Sequence, residues 1–158
     1  MSDLGAFREE TRAWLEEFCP PGARGPGEIA SGSSKVEIES PDVRLWLERM
    51  AERGWTVPTW PKAYGGGGLS GDEARVLYEE MERVDARPPL VNMGTRMLGP
   101  TLLEFGTEDQ KRRHLTRIAE GRAAWCQGYS EPGAGSDLAS LRTRAEDRGD
   151  EFVINGQK

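Results

Sequence analysis

The feature that most limits what this chain can fold into is a change of hydrophobic period at Gly121. Before it, apolar residues recur every three or four positions, as on one face of a helix; after it they alternate, as along a strand. The predicted fold is therefore mainly α: a helical bundle of about five helices, followed by the first strands of a β-domain. Residues 1–121 read as an amino-terminal helical domain and 122–158 as the start of an incomplete β-domain. The chain has 158 residues, enough for one core of ordinary size.

The helices can be placed from their periods and their punctuation. Leu4, Phe7, Thr11, Trp14, Leu15 and Phe18 share one face of a helix over about Ser2–Phe18, capped by Ser2 or Asp3 and stopped by Pro20-Pro21. Gly22–Ser40 has no apolar period and reads as a mobile loop. Ser40-Pro41 starts a helix whose inner face is Val43, Trp46, Leu47 and Met50, with Gly54 closing it. The Pro- and Gly-rich connector after it is expected to anchor itself to the core through Trp55, Trp60 and Tyr64. Capping boxes at Ser70–Glu73 and Thr107–Gln110 open two more helices, burying Ala74, Leu77, Met81 and Val84 in one and Leu115, Ile118 and Ala119 in the other. Between them, Leu90–Leu98 predicts a helix interrupted at Gly99-Pro100 and continued through Leu102, Leu103 and Phe105. Glu79, Glu80, Glu82 and Glu104 read as solvated helix faces, and His114 as a solvated or partly packed surface histidine.

Past Gly121, Ala123–Tyr129 predicts the first strand, Asp137–Leu141 a helical turn, and Thr143–Glu146 with Phe152–Ile154 a hairpin around Arg148-Gly-Asp150. Ser130-Glu-Pro-Gly-Ala-Gly-Ser136 breaks out of that first strand. Its glycines permit backbone angles that other residues avoid, and such a loop can aim several N–H groups at one anion, with the Ser130 and Ser136 hydroxyls at either end. On composition alone the same residues more often make a plain solvated turn.

Bulk composition removes several classes of function. A net charge of −6 and the absence of a basic excess argue against nucleic acid and against an anionic membrane surface. No apolar run reaches the length of a membrane span, and Met1-Ser-Asp lacks a signal-like basic region, so a cytoplasmic location is the expectation. Cys19 and Cys126 read as unpaired thiols, and one histidine cannot make a histidine-rich zinc site, so no metal is expected.

Four stretches carry a resemblance. Gly128-Tyr-Ser-Glu-Pro-Gly-Ala-Gly-Ser-Asp137 resembles the flavin-contacting segment of the acyl-CoA dehydrogenase family. Gly54-Trp-Thr-Val-Pro-Thr-Trp-Pro-Lys-Ala-Tyr-Gly-Gly67 is similar to its Trp-Pro…Tyr-Gly-Gly connector, Gly106-Thr-Glu-Asp-Gln-Lys-Arg112 to its helix-start segment, and Gly149-Asp-Glu-Phe-Val-Ile-Asn-Gly-Gln-Lys158 to its first strand pair. They come in the family's order and span nearly the whole chain.

The resemblance implies an amino-terminal portion of an FAD-dependent acyl-CoA dehydrogenase, which oxidises an acyl-CoA thioester to trans-2-enoyl-CoA. In such enzymes a carboxylate removes the α proton while the β hydride passes to FAD, which requires base and flavin on opposite sides of the acyl chain. Carried over, Gln127, Tyr129 and Ser130 lie along the flavin ring, with the Ser130 hydroxyl donating to its pyrimidine end. Gly135 and Ser136 meet the FAD phosphates, and Ser136 also touches the pantetheine arm of the acyl-CoA substrate. Leu90, Met93, Met97 and Leu98 either face the acyl channel or form an ordinary core stripe. Glu131 is assigned to the turn, bonding backbone donors, and not to the role of base. The catalytic base is expected to be absent from this chain, which alone would be inactive. An electron-transfer flavoprotein is the implied acceptor, and homo- or hetero-oligomerisation is expected through a carboxy-terminal domain. The alternatives are a non-catalytic flavin- or acyl-CoA-binding module or subunit partner, and a flavin oxidase or monooxygenase of the same architecture.

Overall fold

The computed structural model describes residues 3–31 and 38–158. The chain falls into two compact units, Met1–Trp125 and Cys126–Lys158. The described part of the first unit contains five α-helices: α1 (Leu4–Phe18), α2 (Pro41–Glu52), α3 (Gly71–Arg83), α4 (Gly99–Phe105) and α5 (Glu108–Ala119). The second unit carries an antiparallel hairpin of β1 (Arg144–Asp147) and β2 (Phe152–Asn155), paired Arg144 with Asn155 through Asp147 with Phe152. Among the described residues no helix is long and apolar enough to cross a membrane.

Four of the five helices start where a side chain satisfies free N–H groups, whereas α4 has no side-chain cap. Asp3 accepts from Gly5 and Ala6, and Ser40 accepts from Val43 with Pro41 at the first helical position. Ser70–Glu73 and Thr107–Gln110 both close as reciprocal capping boxes. The periodic faces then meet in one packed interior. Leu15, Trp46, Met50, Trp55, Leu77 and Met81 form its largest cluster, joining α1, α2 and α3. A second cluster sets Val57 and Trp60 of the connector against Leu115, Ile118 and Ala119 of α5. The connector aromatics thus anchor it: Trp55 and Trp60 are buried, and half-buried Tyr64 also donates to Glu108 at 2.8 Å.

Three expectations need correction. First, the part of Gly22–Ser40 that lies among the described residues is tied down rather than mobile, while residues 32–37 lie outside them. Gly25 N–H donates to the Asp85 carbonyl at 2.8 Å, Arg87 N–H to Ala23 at 3.0 Å, and Val91 N–H to Ala30 at 2.9 Å. Ala30 is buried with Val43, Leu47 and Leu90. A stretch without apolar period can still be fixed when its backbone finds partners in another loop.

Second, Leu90–Asn92 is not helical; the helix starts later, as a widened turn over Gly94–Leu98 that runs straight into α4. Pro100 has no N–H for the Arg96 carbonyl, and Gly99 N–H reaches back five residues to Gly94 instead. Gly99 is also the point of closest approach to the connector, since a Cβ there would lie 2.0 Å from the Trp60 ring.

Third, Glu80 is no solvated residue. Its side chain is 2% exposed and accepts from Arg12 at 2.8 and 3.1 Å and from Arg8 at 2.7 Å, fastening α1 to α3. Glu79 stays exposed and joins Arg8 from outside. The Arg12 hydrogen bonds foremost, with those of Arg8, hold the Glu80 carboxyl well below the usual range, at about 2. The unfolded chain therefore binds this proton more readily than the folded one. The stabilisation is complete above the ordinary carboxylate pKa of 4.5 and fades as pH falls from there toward 2. Since both guanidiniums are about one-third exposed, its worth is about 2 kcal/mol. Glu80→Gln is expected to cost that much at pH 7 and little at pH 2, measured by urea unfolding. An equal loss at both pH values would contradict the assignment.

Candidate functional site

The segment after Trp125 is built on one turn. Glu131 N–H donates to the Ala134 carbonyl at 2.8 Å and Ala134 N–H returns the bond at 3.0 Å, with Pro132-Gly133 at the centre. This is a tight turn with proline at its second position. It sets Ser130 and Gly135 on the two sides of one bridge, with Tyr129 and Ser136 beyond them. Gln127, Tyr129, Ser130, Gly135 and Ser136 are all exposed.

Two sequence readings fail here. Ala123–Tyr129 forms no strand, because no other described segment pairs with it and alternation alone makes no ladder. Neither Gly133 nor Gly135 takes a positive φ, so neither is needed for backbone strain. Both instead face open space, with no atom within 4 Å of where a Cβ would stand. The predicted turn appears as Leu138–Ser140, and the hairpin forms as expected.

The turn is held from below by Glu131. Its carboxylate accepts from Arg142 N–H at 2.7 Å and Thr143 N–H at 3.0 Å, and the Lys158 ammonium lies 3.0 Å away. The Arg142 amide foremost, with Thr143 and Lys158 adding, keeps this carboxyl well below the usual range, at about 2. Glu131 is therefore an ionised structural acceptor, as expected of it, and unsuited to taking up a proton near neutrality. Sequence reasoning missed Lys158, which also donates to the Tyr129 carbonyl at 2.9 Å. A partner 27 residues from Glu131 leaves no local signal.

What remains on the turn is a set of unused donors. Among the described residues the Ser130 and Ser136 hydroxyls and the N–H groups of Gly135 and Ser136 have no protein acceptor. Free N–H groups beside an open, side-chain-free surface suit a phosphate-bearing group that approaches the backbone closely. These residues fit FAD on that ground. The apolar candidates of the first unit divide: Leu90 is core, Leu98 is half-buried against the second cluster, and Met93 and Met97 are exposed. His114 is partly packed, its ring edge-on to Trp125 at 5.3 Å.

The family profile described as "Acyl-CoA dehydrogenase, N-terminal domain" matches residues 2–122. The chain is 46% identical over 163 residues to acyl-CoA dehydrogenase IpdE1 of Mycobacterium tuberculosis, covering 100% of this chain and 41% of that protein. Among solved structures it is similar to the "Tcur3481-Tcur3483 steroid ACAD", with 39% identity and a TM-score of 0.63 over 97% of this chain and 38% of that one. It is similar also to the ChsE4-ChsE5 complex of Mycobacterium tuberculosis, with 33% identity and a TM-score of 0.61 over 99% of this chain and 37% of that one. The chain thus spans about two-fifths of the length of these relatives. It belongs to the acyl-CoA dehydrogenase family, of which it represents the amino-terminal portion.

Proposed function

We propose that this chain contributes the flavin-binding turn of an FAD-dependent acyl-CoA dehydrogenase, with residues 1–121 as its helical domain and 122–158 as the start of its β-domain. The activity, oxidation of an acyl-CoA thioester to trans-2-enoyl-CoA, is that of the complete polypeptide. The observation that carries the reading is the set of unused donors on Ser130, Gly135 and Ser136 beside the open faces of Gly133 and Gly135. When bound, FAD supplies the hydride acceptor.

The residues of this chain bind and orient. Gln127 and Tyr129 flank the ring, and the Ser130 hydroxyl donates to its pyrimidine edge, where it favours negative charge on the reduced ring. Gly135 and Ser136 direct N–H and hydroxyl donors at the phosphates, and Ser136 also reaches the pantetheine arm of the substrate. None of the helix and turn glutamates considered above suits the base: Glu80 and Glu131 are committed to structural bonds, and Glu79, Glu82 and Glu104 stand on exposed helix surface. The base is assigned to the rest of the polypeptide. Since both neighbours are named for two components and one of them is named a steroid ACAD, a second subunit and a bulky acyl group are the extension we favour. An electron-transfer flavoprotein is the proposed acceptor.

In the complete protein, Ser130→Ala and Ser136→Ala are each expected to weaken FAD retention or slow flavin reduction about tenfold, the scale of one lost hydrogen bond to a charged group. Flavin content after gel filtration and the anaerobic reduction rate measure this. Wild-type values for both variants would remove the assignment.

A further inference from the structure

The turn that carries the exposed donors has no packed core beneath it; among its neighbours only Ala134 is buried. Its shape must therefore come from polar bonds, and these converge on two charged side chains. Glu131 accepts from the Arg142 and Thr143 amides at 2.7 and 3.0 Å, which ties the start of the turn to the chain entering β1. Lys158, beyond the end of β2, reaches back with its ammonium 3.0 Å from Glu131 and donates to the Tyr129 carbonyl at 2.9 Å. The Glu131 side chain is 7% exposed, so little water competes for these bonds. The two residues close residues 129–143 and the tail of the hairpin into one ring, with Ser130 lying in the chain between the two points of attachment, Tyr129 and Glu131.

We infer that Glu131 and Lys158 form an ionic clamp that positions Tyr129 and Ser130 for the flavin, so that both are positioning residues which touch no substrate themselves. The inference rests on the flavin reading above. Its physical ground is that a carboxylate accepting two amides and one ammonium is a three-point fixture. A neutral or shortened side chain keeps only part of it. The ammonium adds the point that matters most for orientation: the carbonyl it holds belongs to Tyr129, immediately before Ser130. Arginine can keep that charge and a donor, whereas methionine keeps the length and loses both.

The test uses the complete protein with Glu131→Gln, Lys158→Met and Lys158→Arg. Three readouts are taken: FAD dissociation constant on the apo-protein, the visible absorption envelope of the bound flavin, and amide hydrogen exchange over residues 129–143. Glu131→Gln and Lys158→Met are expected to weaken FAD binding about tenfold, the scale of a lost charge-assisted hydrogen bond. Both are expected to alter the envelope and to speed exchange at Arg142 and Thr143 in the first variant. Lys158→Arg is expected to restore affinity and envelope to within about threefold of wild type, which a role in folding alone would not explain. Circular dichroism checks that the helical unit is unchanged. Unaltered affinity, envelope and exchange in the two disabling variants overturn the clamp while leaving the flavin reading standing. A wild-type protein that binds no FAD overturns both.

Discussion

Gly54→Ala is expected to lower the stability of the helical unit by about 4 kcal/mol, a large share of what a domain of this size possesses. Gly54 ends α2 at φ +69°, where a residue with a side chain costs about 1–2 kcal/mol. The larger part is steric. A Cβ at Gly54 would stand 2.3 Å from the carbonyl carbon of Gly66 and 2.5 Å from the nitrogen of Gly67. Both are backbone atoms of the connector, which cannot step aside as a flexible side chain would. The connector is itself pinned, by Gly68 N–H on the Trp60 carbonyl at 2.9 Å and Leu69 N–H on that of Pro58 at 2.9 Å. Relief therefore means displacing Trp55 and Trp60 from the interior. Urea unfolding followed by tryptophan fluorescence should show the loss; a shift below about 1 kcal/mol would mean that the approach of α2 to the connector is looser than described.

Trp46→Ala is expected to cost about 3–5 kcal/mol. Trp46 is 1% exposed and among the largest side chains completely enclosed by the fold. It packs in the cluster of Leu15, Met50 and Trp55, with the Trp14 ring 5.9 Å away. Its indole N–H also donates to the Arg87 carbonyl at 2.9 Å, joining α2 to the loop after α3. Alanine would leave a cavity and an unpaired carbonyl together. Trp46→Phe separates these terms, keeping most of the volume and losing the donor, and is expected to cost about 1–2 kcal/mol. Equal losses for the two variants would contradict the importance of the volume.

These two sites also show what could be read from the chain in advance. Trp46 was legible, because residues 43, 46, 47 and 50 repeat at helical spacing and Ser40-Pro41 marks the start. The close approach at Gly54 was only half legible: glycine after a helix signals a cap, but nothing local says that Gly66 will lie against it. Glu80 was misread for the same reason, since its partners Arg8 and Arg12 stand about 70 positions away. Ala123–Tyr129 shows the opposite case, since its residues alternate but a strand needs a neighbour that the pattern does not supply. At the candidate site the structural bonding of Glu131 is legible from residue type. At Gly133 and Gly135 the structure shows open space where a side chain would stand and no positive φ, so residue type alone points to the wrong property of glycine there. Lys158 was invisible until the hairpin folded it back to Glu131.

The central claim is that the turn around Ser130–Ser136 serves a flavin in an acyl-CoA-oxidising protein. The most direct measurement is the visible spectrum of the complete natural protein, purified and then titrated anaerobically with acyl-CoA thioesters that include a steroid-derived one. Bound FAD is expected at about one per polypeptide, with bleaching of its visible band by at least one of those thioesters. A protein that neither carries nor takes up FAD, or whose flavin stays oxidised with every thioester, would contradict it.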